Sequence, residues 1–201
     1  DVYELVLAAQ AAALAATRPG AAWDTPHEAA VRVLAQGMID FGLCQGSLQQ
    51  VLETGDYKRH YMHRTGHWLG LDVHDTGEYK IDGKWRPLAA GMTLTVEPGC
   101  YIRAAEGVPD AYWNIGVRIE DDVLVTADGC EVITAATPNT ARSNRNHTYT
   151  MIAIRLAIIA STADCFVSAA TELSKLLTSS KTGLSEKSFW TSFRPASRSA
   201  C

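Results

Sequence analysis

The sequence contains no pair of cysteines at the C-x-x-C spacing of a zinc knuckle or a redox site. Its five cysteines, Cys44, Cys100, Cys130, Cys165 and Cys201, are odd in number and scattered. That pattern fits free thiols in a reducing, cytoplasmic compartment better than a disulfide framework. It also has no uninterrupted run of about 20 apolar residues, the length a membrane-spanning helix needs. The nearest approach, residues 150–170, is broken by Arg155 and Asp164. Central charges oppose insertion, so a buried or amphipathic helix is expected there and no membrane partner. Basic charge is scarce over most of the chain: residues 1–140 hold 10 Lys/Arg against 19 Asp/Glu, a net of −9. A phosphate-binding surface needs clustered Lys/Arg, so no nucleic-acid partner is expected. Asp1 and Glu4 stand where a signal peptide would carry its basic region, so none is expected.

What is present is a globular composition, with 47% hydrophobic and 20% charged residues over 201 positions. That length suits one domain with an appendage. The charge balance locates the join. Residues 141–201 hold 8 Lys/Arg against 3 Asp/Glu, a net of +5, opposite in sign to the front. The pattern breaks after Pro138, so the chain is read as a domain over 1–138 and a tail over 139–201. A helix is expected over 150–177, and beyond it a disordered, serine-rich basic end.

The first 55 residues read as helices. Val2, Leu5, Val6, Ala9, Ala13 and Ala16 recur at helical spacing, and Arg18-Pro19-Gly20 ends that run. Thr25 is expected as the cap of a second helix, with Pro26 at its first position and Glu28 completing a capping box. That helix runs to about Phe41 and stops at Gly42. A third, short helix is expected from Ser47 to about Glu53. After residue 60 glycines recur and short β-type runs appear, clearest at Met92–Val96, Val117–Ile119 and Val123–Val125. Asp82-Gly83 and Asp128-Gly129 are hairpin-turn dipeptides. Helices followed by antiparallel strands define an α+β class.

Four of six histidines, His60, His63, His67 and His74, fall within fifteen residues. His63 and His67 are four apart, but Gly66 and Gly70 favour an extended or looped presentation over a helix. Alone, such a cluster more often consists of satisfied or exposed histidines than of metal ligands. Two carboxylates sharpen it: Glu97 closes an apolar strand before Pro98-Gly99, and Glu120 ends Gly116-Val117-Arg118-Ile119-Glu120. Strand alternation puts Arg118 and Glu120 on one face, so those two could simply pair. A carboxylate at the inner end of a strand otherwise needs hydrogen bonds or a metal. One imidazole and two carboxylates, with no thiolate near, suit Mn, Zn, Co or Fe as divalent ions.

Three stretches, in this order, closely resemble the motifs of Xaa-Pro aminopeptidases (aminopeptidase P). They are His63-Arg64-Thr65-Gly66-His67-Trp68-Leu69-Gly70-Leu71-Asp72-Val73-His74-Asp75, Gly91-Met92-Thr93-Leu94-Thr95-Val96-Glu97-Pro98-Gly99 and Gly116-Val117-Arg118-Ile119-Glu120-Asp121-Asp122. The resemblance covers about residues 1–136 and implies the pita-bread metallopeptidase fold shared with prolidase and methionine aminopeptidase. It implies hydrolysis of the bond between an N-terminal residue and a following proline, on peptides with proline second. By it, His67, Glu97 and Glu120 match three of five ligands of a two-ion centre, most often manganese. Glu97 also matches the carboxylate that handles the nucleophile's proton. His63 and His74 match histidines that contact substrate, and Arg118 an arginine that orients a ligand carboxylate. The remaining two ligands of the family are aspartates on strands preceding the helix at 2–17. The chain begins at Asp1, so the expectation is a truncated pita-bread domain from a longer, homo-oligomeric parent, itself weak or inactive. The alternatives are a non-catalytic pita-bread binding module and a prolidase acting only on Xaa-Pro dipeptides.

Overall fold

The computed structural model of the chain describes residues 1–139. The helix expected over 150–177 and the disordered end after it lie outside the described residues.

Helix α1 (Val2–Ala16) and helix α2 (Thr25–Asp40) form one layer. Their contact combines small and large apolar residues. Val6, Ala9 and Ala13 of α1 and Leu34, Ala35 and Met38 of α2 are fully buried. Burying a Leu or Met side chain contributes roughly 1.5–3 kcal/mol, so this face holds the layer together. Gly37 is part of the fit: a Cβ there would overlap the methyl groups of Leu5. A short helix α3 (Leu48–Thr54) follows, and its start is chemically explicit. Ser47 accepts a hydrogen bond from the Gln50 amide while the Gln50 side chain accepts one from the Ser47 amide. Gly55, at φ 72°, takes the left-handed conformation that ends it.

The expected cap of α2 needs correction. Asp24, not Thr25, is the capping residue; Thr25 and Pro26 are already helical, and no side-chain cap bond forms. The physical reason is a competing partner: the Asp24 carboxylate pairs with Arg64. The Glu28 amide instead bonds the Asp24 carbonyl, as an interior helical residue does.

The second half is antiparallel sheet, as expected for α+β. The hairpin β1 (Lys80–Ile81) to β2 (Lys84–Trp85) turns at Asp82 and Gly83, both at positive φ, 49° and 75°. Strand β3 (Thr93–Val96) pairs with β6 (Asp121–Val125), which pairs with β7 (Cys130–Val132). Strand β4 (Gly99–Ile102) pairs with β5 (Ile115–Arg118). The Asp128-Gly129 dipeptide does join β6 to β7, but in a four-residue loop closed by the Thr126 amide on the Gly129 carbonyl.

These two ladders are one bent ladder. Val96 lies opposite Asp121 and Gly99 opposite Arg118, so the register runs through residues 97–98 and 119–120 without a slip. Pro98 causes the interruption, because it has no amide to donate to a ladder. Its carbonyl still accepts from the Ile119 amide at 3.3 Å. The consequence is positional: Glu97 and Glu120 face one another at the bend.

Helix α1 is tied to that bend. Gln10, buried within α1, donates from Nε2 to the Val96 carbonyl, one residue before Glu97. Cys44, Cys100 and Cys130 are free thiols, in line with expectation, and Cys165 and Cys201 lie outside the described residues.

Candidate metal centre

The segment around His67 is extended and runs beside β3, not helical, as the glycines indicated. Trp68 bridges Leu94, the Glu97 amide donates to the Thr65 carbonyl at 2.7 Å, and the Thr95 amide donates to the His67 carbonyl at 3.0 Å. Gly66 permits this approach, because a Cβ at that position would overlap the Thr95 carbonyl oxygen. His67 is thereby set next to the bend that carries the two carboxylates.

One ligand atom each from His67, Glu97 and Glu120 lies within 4.8 Å of the others. His67 Nδ1 lies 2.8 Å from the Trp68 carbonyl, which only accepts, so Nδ1 carries the proton. That leaves Nε2, 3.3 Å from Glu97 Oε1, as the nitrogen that faces the two carboxylates and can bind a metal. This is the tautomer a metal ligand requires, fixed by the backbone. Glu97 is held on both oxygens: Thr95 Oγ1 donates to Oε1 at 3.1 Å and Arg118 approaches Oε2 at 3.7 Å. Arg118 thus pairs with Glu97, not with Glu120 as strand alternation alone allowed.

Glu120 is the electrostatic anomaly. Burial, then the Glu97 carboxylate opposite, then Asp122, push its pKa up to about 7. Facing like charges on paired strands destabilise a sheet. A divalent cation held by these carboxylates would reverse that sign, and the donors are hard and borderline, as such ions require. The residues present therefore fit a divalent metal.

His63 and His74 flank this cluster. The His74 ring stands edge-on to His67, with centroids 4.5 Å apart. His63 belongs to a directional relay. Arg118 Nε donates to the Tyr101 hydroxyl, whose proton points to His63 Nε2, each at 2.9 Å, while His63 Nδ1 donates to the Arg64 carbonyl. Burial lowers the His63 pKa, which keeps the ring neutral. Tyr101 was absent from the sequence-derived residues, and so was Thr95. The one available signal for Tyr101 was glycine: Gly99 and Gly116 are the bare positions over which its ring lies.

Beneath the histidine segment is a second polar layer. The buried Thr65 hydroxyl meets His27 Nδ1 at 2.8 Å and the Tyr61 hydroxyl at 2.6 Å. His63, His67, His74, Glu97 and Arg118 line an open cleft of about 700 Å³.

A bent antiparallel ladder carrying two carboxylates, with one imidazole from the segment beside it and a helical layer, defines a pita-bread protein with a carboxylate-rich metal-type site. The chain belongs to metallopeptidase family M24, whose family model matches residues 1–127. It is 46% identical to the Xaa-Pro aminopeptidase of Haemophilus influenzae over 138 residues, 69% of this chain and 32% of that protein. Among solved structures it resembles aminopeptidase PepP of Pseudomonas aeruginosa at TM-score 0.69 and 50% identity, over 71% of this chain and 32% of that one. It also resembles aminopeptidase P from E. coli with the inhibitor Pro-Leu, at TM-score 0.67 and 37% identity, over 71% and 32% of the two chains. The chain thus spans about a third of the length of the relatives it matches.

Proposed function

We propose that the intact protein hydrolyses the peptide bond between an N-terminal residue and a following proline. The observation that carries this reading is the His67–Glu97–Glu120 cluster with its backbone-fixed Nδ1–H tautomer. Family membership implies a divalent metal. We assign it to these three residues, with manganese as the first candidate and zinc, cobalt and iron behind it. A second ion would need further carboxylates from outside the described residues. When bound, the metal supplies Lewis acidity, polarising the scissile carbonyl and acidifying water.

The chain's own residues do the rest. Glu97, oriented by Thr95 and Arg118, takes the proton of the attacking water. Tyr101 fixes the His63 tautomer, so that the ring meets substrate neutral and in one orientation. His74, exposed beside His67 on the loop that follows it, lines the cleft and contacts the developing oxyanion. Peptides with proline second are the substrates, and a homo-oligomer in the cytoplasm is the expected working form. The Haemophilus influenzae relative supports this reading, since it is named an Xaa-Pro aminopeptidase.

The test is hydrolysis of an Ala-Pro dipeptide, an Ala-Pro tripeptide and an Ala-Ala tripeptide by the intact, manganese-loaded protein. Cleavage of the Ala-Pro tripeptide, abolished by chelator, is expected. Cleavage of the dipeptide alone would place the protein with prolidase instead. Metal binding without any turnover would make it a binding module.

A further inference from the structure

The cleft has a second wall that the proposed chemistry does not use. Besides the groups already described, it is lined by Trp23, Arg64, Tyr79, Lys80 and Trp85. The floor is aromatic: Trp23 packs on Trp68 with centroids 4.0 Å apart and on Tyr79 at 4.8 Å. The rim is the β1–β2 hairpin, where Lys80 and Trp85 are paired residues on neighbouring strands. Trp85 is flanked by two cations, with Lys80 Nζ 4.3 Å and the Arg64 guanidinium 4.9 Å from its ring centroid. These cations are not equivalent. Arg64 is paired with Asp24. Lys80 is exposed and has no ion pair among the described residues.

The geometry points to a carboxylate-binding subsite at this rim, in which Lys80, steadied on the Trp85 face, selects peptides carrying a negative charge beyond the proline. The inference rests on the aminopeptidase reading above. An enzyme of that kind has a single residue before the scissile bond, so a cleft extending past the catalytic groups receives the downstream part of the peptide. An ammonium held over an indole has lost part of its freedom in advance, which lowers the entropic cost of meeting a carboxylate. The carboxylate has two sources of the same chemistry: the free C-terminus of a tripeptide, or an acidic side chain at the third position of a longer peptide.

Both sources can be separated on the intact, metal-loaded protein. One pair of substrates is Ala-Pro-Leu as free acid and as amide. The other is the amidated tetrapeptides Ala-Pro-Glu-Ala and Ala-Pro-Gln-Ala. An exposed ion pair of this type corresponds to a preference of about five-fold, carried by KM and not kcat. It should fall toward one at ~1 M salt, where screening acts within about 3 Å. A preference in the first pair only identifies the C-terminus; a preference in the second identifies the side chain. K80E should invert whichever ratio is found and K80M should bring it to one, while both variants are compared for thermal stability with the wild type. Turnover of all four peptides with ratios of one, or a ratio that survives K80M, overturns the subsite. Absence of turnover on every Ala-Pro peptide overturns the aminopeptidase reading instead. In that case, binding of the acid and amide forms of Pro-Leu, measured calorimetrically, still decides the subsite: equal affinities refute it.

Discussion

Glu120→Gln separates function from stability at the proposed metal centre. In the metal-free protein Glu120 titrates near pH 7 instead of 4.5, because it is buried and faces Glu97. A carboxyl whose folded pKa is raised stabilises the fold fully below pH 4.5 and loses that contribution as pH rises through about 7. Complete transfer of the shift into folding would amount to about 3 kcal/mol. Solvent reaches part of this side chain, so screening leaves about 2 kcal/mol. Glutamine keeps the shape and removes the charge. At pH 8 in chelator the variant should therefore melt higher than the wild type, by roughly 6 °C for a domain of this size. At pH 4.5 the two should coincide. Adding manganese should raise the wild-type melting temperature and leave the variant nearly unmoved. Calorimetric melts at the two pH values, with and without metal, provide the assay. A variant less stable than wild type at pH 8 in chelator would refute the electrostatic argument, and so would an unchanged metal response.

Gly66→Ala would drive a Cβ into the Thr95 carbonyl and separate the His67 segment from β3. Loss of two flanking backbone hydrogen bonds should cost about 2–4 kcal/mol and weaken manganese affinity in calorimetric titration. Tyr101→Phe removes the hydroxyl between Arg118 and His63 while keeping the ring. It should lower kcat about ten-fold or more and leave metal content intact by elemental analysis. His27 is held neutral, its pKa pushed down to about 4 by burial first and by His63 and Lys58 next. The unfolded chain takes up that proton below pH 6.5, so stability is lost as pH falls from 6.5 to 4, by about 2 kcal/mol after screening. In denaturant titrations His27→Gln should flatten this slope.

The sequence was most legible where one local signal sufficed. The alanine-rich periodicity of α1, the stop at Gly42 and the Asp82-Gly83 turn each rest on a few adjacent residues, and each appears in the fold. Strand β4 was not legible. Gly99-Cys100-Tyr101-Ile102 follows a proline and starts with glycine, and only its pairing with β5 makes it a strand. Tyr101 was hidden for the same reason. The cap of α2 misled because Arg64, forty residues away, engages Asp24. His67, Glu97 and Glu120 were named from motifs, but their convergence depends on register across the Pro98 bend, which no single strand reveals. The His67 tautomer was beyond reach too, since it rests on the direction of the Trp68 carbonyl.

The central claim is that His67, Glu97 and Glu120 together hold the metal used for Xaa-Pro hydrolysis. Metal content and Ala-Pro-Leu turnover, measured on the same preparations of intact wild type, Glu120→Ala and His74→Ala, test it most directly. The account predicts that Glu120→Ala loses metal and turnover together, while His74→Ala keeps the metal and turns over more slowly. Full metal content with unimpaired turnover in Glu120→Ala would contradict it.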